Sequence, residues 1–146
     1  MFWTRLAITA SLLAVLAGCS SEPDDPRLTF VAISTNGHIS FSGQTSLPDG
    51  SHLEVWATNA ASTGLDDFLS NPVIIAVADG QYSGAIDVSE WHSAYVTASV
   101  LFDAWDNQPQ AFTSRYGTIG EKMTGPDVRS GDFGYALEIF VTVAQQ

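Results

Sequence analysis

The sequence predicts an all-β fold of about seven antiparallel strands. After Arg27, short segments rich in Val, Ile, Thr, Phe and Tyr alternate with runs of Gly, Asp, Asn, Pro and Ser, the composition of strands separated by turns. The dipeptides Asn36-Gly37 and Asp79-Gly80 tolerate the positive φ angles that tight hairpin turns require. In "YALEIFVTV", successive residues belong to opposite faces of a strand, with the larger apolar share on one face. These features together favour antiparallel sheets over helices.

Seven segments carry the strand pattern, and the two Gly-containing dipeptides join the first to the second and the fourth to the fifth. The segments are Leu28 to Ser34, His38 to Gly43, His52 to Asn59, Val73 to Ala78, Gln81 to Val88, Ala94 to Ala104 and Tyr135 to Val143. Between 107 and 134 the pattern weakens because prolines and glycines accumulate there. We expect "AFTSRYGTI" within that stretch to add an edge strand.

Strands with one solvent-exposed face belong to antiparallel sheets that pack face to face. Seven such strands in about 115 residues are typical of an immunoglobulin-like or fibronectin-like β-sandwich. A small barrel is the alternative architecture. The Cys…Trp…Cys spacing of antibody domains is missing, because the chain contains one cysteine.

The N-terminal sequence resembles an export signal. Arg5 precedes the eleven-residue apolar run "LAITASLLAVL", which is too short to cross a hydrocarbon core of about 30 Å and instead resembles the apolar part of a signal peptide. Leu16-Ala17-Gly18-Cys19 resembles the bacterial lipobox, in which the cysteine thiol is acylated, for example with palmitate. We therefore expect a lipoprotein signal peptide at 1–18, an acylated Cys19 with an acidic tether at 19–27, and one β-sandwich domain at 28–146.

The sequence allows two alternatives for Cys19. The signal could be cut near Ala17 or Gly18 without acylation, or Cys19 could be a buried structural cysteine. The lipobox spacing favours a covalent lipid anchor, which would place the protein in the bacterial cell envelope, either in the periplasm or on the cell surface. Such an anchor binds the membrane without a spanning helix.

The charge excludes one class of partner. All sixteen acidic residues lie after Cys19, together with four of the five basic ones, and the whole chain carries a net charge of −11. Nucleic-acid phosphates are bound chiefly by Lys and Arg, so we expect no nucleic-acid partner. The acids are scattered along the chain, which favours solubility as their role over a cation-binding function.

Several turn motifs resemble those of a known group of proteins. They are "TSLPDGSHLEV" from Thr45, "VADGQY" from Val77, the strand from Tyr95 to Gln108-Pro109, and "GTIGEKMTG" from Gly117. Together they are similar to a pattern in uncharacterised bacterial envelope lipoproteins with an immunoglobulin-like sandwich. The resemblance implies a sandwich fold and a lipid anchor, and it carries no catalytic residues.

No motif for catalysis or for a cofactor stands out, so the sequence predicts neither an enzyme nor a cofactor. Gly80-Gln81-Tyr82-Ser83-Gly84 misses the G-x-S-x-G spacing by one position and lies in a hairpin. The three histidines lack metal-ligand spacing. Asp103 and Asp106 are the better candidates for calcium ligands, ahead of Asp66-Asp67, although neither stretch forms a known calcium loop.

Tryptophans are the candidate binding residues. In "HLEVWATN", Leu53 and Val55 point inward, which turns Trp56 outward, while Trp91 and Trp105 fall in or beside loops. Exposed tryptophans bind sugar rings or partner proteins through a large apolar area. The opposing interpretation is that they cover a sheet edge or a second core.

The leading functional hypothesis is a non-catalytic binding or assembly module, anchored by lipid in the envelope, whose partner is an envelope protein. The alternative is a polysaccharide-binding sandwich, assisted by calcium at Asp103 and Asp106. A hydrolase with an unrecognisable site is the third and least favoured hypothesis.

Overall fold

The computed structural model describes residues 25–59 and 69–145 of the 146-residue chain. The predicted signal peptide, Cys19 and Asp66-Asp67 lie outside the described residues. The described residues form eight strands and one helix. These elements are β1 (Val31–Thr35), β2 (His38–Gln44), β3 (His52–Thr58), β4 (Val73–Ala76), β5 (Gln81–Asp87), β6 (Tyr95–Asp103), α1 (Gln110–Tyr116), β7 (Val128–Ser130) and β8 (Tyr135–Ala144).

The strands form two antiparallel sheets, as expected for an immunoglobulin-like or fibronectin-like sandwich. One sheet has the order β1-β2-β5 and the other β4-β3-β6-β8-β7. The chain therefore crosses between the sheets after β2, after β4 and after β5, which is a Greek-key path. The all-β sandwich is confirmed and the barrel is not observed, because each sheet has its own edge strands.

Both predicted hairpin turns form where the dipeptides lie. Asn36 and Gly37 have φ angles of 50° and 77°, and Asp79 and Gly80 have 52° and 68°. Two consecutive positive φ angles match the right-handed twist of the flanking strands in a two-residue turn. The first turn sets the β1–β2 register, in which Thr35 pairs with His38.

The core lies between the two sheets. From β3 it receives Leu53, Val55 and Ala57, which alternate with half-buried residues. From the opposite sheet it receives Ile39 and Phe41 of β2. This alternation is what the period of two in a strand produces when one face is buried.

The prediction of an edge strand in "AFTSRYGTI" is wrong, because this segment contains α1. Phe112 and Tyr116 are both fully buried, and their spacing of four residues places them on one side of a helix. The Phe112 ring packs edge-on against Phe102, with 4.9 Å between the ring centroids. Helix formation therefore buries two aromatic rings at the end of β6. In a strand the two residues would also share a face, but they would lie about 13 Å apart along it, whereas in a helix they are about 6 Å apart along the axis.

The eighth strand, β7, was not predicted from the sequence. It has three residues and pairs only with the first part of β8, where Val128 lies opposite Leu137. Contacts of the domain also begin upstream of Leu28. Pro26 is fully buried, and the backbone of Arg27 is hydrogen bonded to Ser46 through the Ser46 hydroxyl and the Ser46 N–H.

Candidate functional site: the outer face of the five-stranded sheet

The solvent side of the five-stranded sheet carries several large apolar side chains. In β3 the residues between the buried ones are His52, Glu54, Trp56 and Thr58, and all four are half-buried. They point away from the core because neighbouring residues of a strand face opposite sides of the sheet. The sequence prediction for the direction of Trp56 agrees with this placement.

Strand pairing aligns Trp56 with an aromatic residue two strands away. Trp56 lies opposite Ser99 of β6, and Ser99 lies opposite Phe140 of β8. Cβ atoms of directly opposed residues are about 5 Å apart, so these three residues form one row across the sheet. Ser99 is small and buried, which leaves the two larger rings as the surface of this row.

Neighbouring rows extend the apolar surface. In the next row, Leu101 of β6 lies between Glu54 and Glu138, and Ile74 of β4 lies beyond Glu54. Tyr95 begins β6 on the same side of the sheet. We call the set Trp56, Ile74, Tyr95, Leu101 and Phe140 the outer aromatic face.

Three members of the outer aromatic face are far more exposed than core residues. Ile74, Tyr95 and Phe140 are 62%, 61% and 60% exposed. Exposed apolar side chains that are contiguous, with polar groups around them, mark interaction surfaces of soluble domains. A row of threonines separates Tyr95 from the row of Trp56 and Phe140, and the hydroxyls of Thr97 and Thr142 in it lie 3.3 Å apart.

The outer side of the three-stranded sheet differs in chemistry. Its central strand β2 exposes His38, Ser40, Ser42 and Gln44, all of them polar. Apolar exposure on that sheet is at the edge strand β1, at Val31 and Ile33. The two outer surfaces of the sandwich are therefore unequal, and the five-stranded sheet presents aromatic rings at its centre.

A cleft of about 300 Å³ lies at one end of the outer aromatic face. Its lining residues are His52, Glu54, Leu101, Asp103, Trp105 and Asp106. The Asp103 carboxylate accepts the Trp105 N–H at 2.9 Å, and the Asp103 carbonyl oxygen accepts the Asp106 N–H at 3.2 Å. These hydrogen bonds form a turn that holds Trp105 at the mouth of the cleft.

Gln108 joins two of the residues that line this cleft. Its amide oxygen accepts the His52 N–H at 2.9 Å, and its amide nitrogen donates to the carbonyl oxygens of His52 and Asp103 at 3.2 and 2.8 Å. One side chain thereby joins the start of β3 to the end of β6. The Gln108-Pro109 pair that figures in the sequence resemblance thus has a structural role here.

A larger groove of about 580 Å³ lies on the other side of the sandwich, between β4 and the three-stranded sheet. It is lined by Thr29, Gln44, Ile75 and Gln81 among others. The Tyr82 hydroxyl at its wall donates to the Thr29 carbonyl oxygen, and burial raises the pKa of this phenol. The Tyr82 hydroxyl is thus already hydrogen bonded within the fold.

The predicted binding tryptophans do not all come together. Trp56 lies within the outer aromatic face, and Trp105 lies at the cleft beside it. Trp91 precedes β6 at the opposite end of that strand and packs against the core. The rings of Trp105 and Phe133 are neighbours, with centroids 6.1 Å apart.

The two predicted calcium ligands both line the cleft, where Asp103 already accepts a backbone hydrogen bond. Among residues 25–59 and 69–145, no group of three or more His, Cys, Asp or Glu side chains is placed to hold a metal ion. Within the same ranges, the helix is too short to cross a membrane.

Sequence reasoning missed most of the outer aromatic face. Alternation in "YALEIFVTV" puts Phe140 on the opposite side of its strand from Leu137, so the outward direction of Phe140 can be predicted from the sequence. What the pattern lacked was the register that sets Phe140 in one row with Trp56.

The chain matches no protein-family model, and no curated protein sequence is similar to it.

Proposed function

We propose that this protein is a non-catalytic, lipid-anchored binding module of the bacterial cell envelope, and that its outer aromatic face binds a partner protein. The observation that carries the proposal is the row in which Trp56, Ser99 and Phe140 lie side by side on the solvent side of the sheet. The other side of this sheet already covers the core, so these rings are not needed to close the sandwich. Aromatic residues near the centre of a patch supply most of the free energy of protein binding.

The charges around the face define the chemistry of the partner. The charged groups on the described part of this sheet face are Glu54, Asp103, Glu138 and Arg129. Arg129 lies 3.9 Å from Glu138, which leaves Glu54 and Asp103 as the net charge of the face. A partner with an apolar centre and a rim of Lys or Arg would complement this surface and associate faster at low salt.

The anchor supports the envelope location. The lipobox-like Leu16-Ala17-Gly18-Cys19 precedes a tether of six residue steps from Cys19 to Asp25. A fully extended chain of that length spans at most about 21 Å. Acylated at Cys19, the domain stays close to its membrane, where a partner from the same envelope is present at high effective concentration.

Photo-crosslinking in living cells tests this function. A photoreactive amino acid replaces Phe140 in the full-length chain, and a matched variant carries it at Ser83, an exposed position on the other sheet. The expected result is one discrete protein adduct from position 140 and none from position 83. The adduct should disappear when Trp56 is also changed to Ala.

Either of two results would contradict the proposal. Equal crosslinking from positions 140 and 83 would show that the partner does not bind preferentially at the outer aromatic face. Absence of palmitate on the wild-type protein, relative to a Cys19→Ala control, would remove the lipid anchor. A crosslinked polysaccharide in place of a protein would favour the second candidate function.

The cleft at Trp105 favours polysaccharide binding as that second candidate. An aromatic ring beside the carboxylates of Asp103 and Asp106 supplies stacking area and hydrogen-bond acceptors for sugar hydroxyls. Thermal melting with envelope polysaccharides, with and without calcium, tests this role. A ligand at one hundred times its dissociation constant adds about 2.7 kcal/mol and should raise the melting temperature by about 8 to 15 °C. A Trp105→Ala variant should lose that shift, whereas a shift that persists in this variant would place the sugar elsewhere.

A further inference from the structure

Trp105 and Phe133 form an exposed aromatic pair at the end of the sandwich where the chain leads in from its N-terminus. Trp105 is 61% exposed and Phe133 is 69% exposed, so neither ring contributes much to the core. Their centroids are 6.1 Å apart and the rings are tilted by 46°. Trp105 follows the end of β6, and Phe133 lies in the turn between β7 and β8.

The topology places this pair and the N-terminal segment at the same end. Arg27, just before β1, is hydrogen bonded to Ser46, which lies between the end of β2 and the start of β3. The start of β3 is joined by Gln108 to the end of β6, next to Trp105, so β1 begins at that end and runs away from it. The Asp25 side chain lies against Gly125, in the connection between α1 and β7. The same connection continues through β7 to the turn that carries Phe133.

The proposed lipid anchor, on which this inference rests, limits how far this end can lie from the membrane. Six residue steps between Cys19 and Asp25 span at most about 21 Å even when fully extended. The end that carries Trp105 and Phe133 is therefore the end held toward the lipid surface. Tryptophan is enriched at membrane interfaces, where its ring contacts apolar chains and its N–H stays hydrated.

The carboxylates directly beside the two rings select the lipid. Asp103 and Asp106 flank Trp105, and Asp132 precedes Phe133. Carboxylates this close to the rings would be repelled by anionic headgroups within the Debye length of about 8 Å at physiological salt. A zwitterionic surface carries no such penalty.

We infer that Trp105 and Phe133 insert together into the headgroup region of a zwitterionic lipid surface and orient the anchored domain on it. In this orientation the outer aromatic face extends away from the membrane along β6. The lipid anchor supplies attachment, and the aromatic pair supplies a defined orientation. A partner would then meet Trp56 and Phe140 at a fixed height above the bilayer.

Quenching of tryptophan fluorescence by brominated lipids tests the inference on the acylated protein. The protein is reconstituted into phosphatidylcholine vesicles whose acyl chains carry bromine, which quenches only rings that reach the interface. We expect quenching in the wild type and its loss in Trp105→Phe, where an apolar ring remains but the reporter is gone. Phe133→Ser should weaken the quenching of Trp105, whereas Trp56→Phe should leave it in place.

Lipid charge, the Trp105→Phe control and the oligomeric state give further tests of membrane insertion. Adding phosphatidylglycerol should lower the quenching, because the carboxylates beside the rings are then repelled. Equal quenching in the wild type and in Trp105→Phe would overturn the inference. So would an unquenched Trp105 whose Phe133→Ser variant changes from dimer to monomer, since the pair would then bind a second copy of the chain.

The acylation state separates this inference from the function it rests on. Mass spectrometry of the same preparation reports whether Cys19 carries its acyl chains. An acylated protein without quenching would overturn the orientation and leave the anchor intact. An unacylated protein would overturn the anchor and the orientation together. Circular dichroism of each variant verifies that the fold is retained.

Discussion

The side-chain amide of Gln108 hydrogen bonds to both the N–H and the carbonyl oxygen of His52, as the backbone of a neighbouring strand would. The two residues are 56 positions apart in the sequence. Gln108 also donates to the carbonyl oxygen of Asp103, so the same amide contacts the two strands that border the cleft. The position of the cleft therefore depends on this side chain.

Gln108→Ala should destabilise the protein by about 1 to 3 kcal/mol, because it leaves partly buried backbone groups of His52 and Asp103 without partners. Gln108→Glu should destabilise the protein more than Gln108→Ala at neutral pH, because the second carboxylate oxygen of the new side chain would face the carbonyl oxygens of His52 and Asp103. Urea denaturation of the three proteins measures the order. If Gln108→Glu were as stable as the wild type, the donor role of the amide would be wrong.

Gly43 lies where a side chain has no room. A Cβ atom there would overlap the carbonyl oxygen of Thr29 and the ring of Tyr82, and the carbonyl cannot move without breaking the bond it accepts from Tyr82. Gly43→Ala should therefore cost about 2 to 3 kcal/mol. Gly131→Ala is the matched control, because its nearest heavy atom is 3.9 Å away. A loss for Gly43→Ala no larger than that for Gly131→Ala would show that overlap at Gly43 does not destabilise the protein.

Tyr82 should make the protein less stable at alkaline pH. Burial raises the pKa of Tyr82 above its ordinary value of about 10. Above that pH the unfolded chain releases the phenol proton while the folded chain keeps it, so unfolding is favoured as pH rises, by up to about 1.4 kcal/mol per pH unit. Urea denaturation between pH 7 and 11 should show this decline in the wild type and a shallower one in Tyr82→Phe. Parallel curves would mean that Tyr82 ionises in the folded state.

Phe112→Ala should cost about 3 to 5 kcal/mol, as expected for a buried aromatic ring that leaves a cavity. The ring packs against Phe102 and Tyr116, so its removal loosens both. Ser114→Ala, on the exposed side of the same helix, should change stability by less than about 0.5 kcal/mol. A small loss for Phe112→Ala would show that α1 is not part of the core.

The strands and turns could be predicted from the sequence because their signals are local. Asn36-Gly37 and Asp79-Gly80 specify positive φ angles by themselves, and alternation identifies the buried face of β3. Helix α1 was missed because β-forming residues dominate its segment. The four-residue spacing of Phe112 and Tyr116 was the helical signal present there.

The candidate site depends on contacts that no local pattern contains. Alternation shows that Trp56 and Phe140 face solvent, but only the pairing of β6 with both neighbours sets them in one row through Ser99. Strand β7 likewise exists because β8 offers it a partner edge, since three residues in a Gly-rich segment carry no strand signal. Register is a tertiary property, so these features follow from packing.

Val55 and Trp56 are neighbours in sequence, but replacing Val55 should destabilise the fold more than replacing Trp56 does. Val55 is fully buried, so Val55→Ala should cost about 2 kcal/mol by removing two buried carbon atoms and leaving a small cavity. Trp56 lies on the solvent side of the same strand, so Trp56→Ala should cost less than about 1 kcal/mol. Chemical denaturation gives both values.

For partner binding, Trp56→Ala should have a larger effect than Val55→Ala. In cells, the adduct formed from a photoreactive residue at position 140 should persist with Val55→Ala, because the folded molecules still present the outer aromatic face. It should be lost with Trp56→Ala, whose ring lies in the same row as Phe140. Ser40→Ala on the other sheet serves as the control and should change neither stability nor crosslinking. If Trp56→Ala instead destabilised the fold as much as Val55→Ala and left the adduct intact, Trp56 would be a structural cover of the sheet, and the binding surface would have to lie elsewhere.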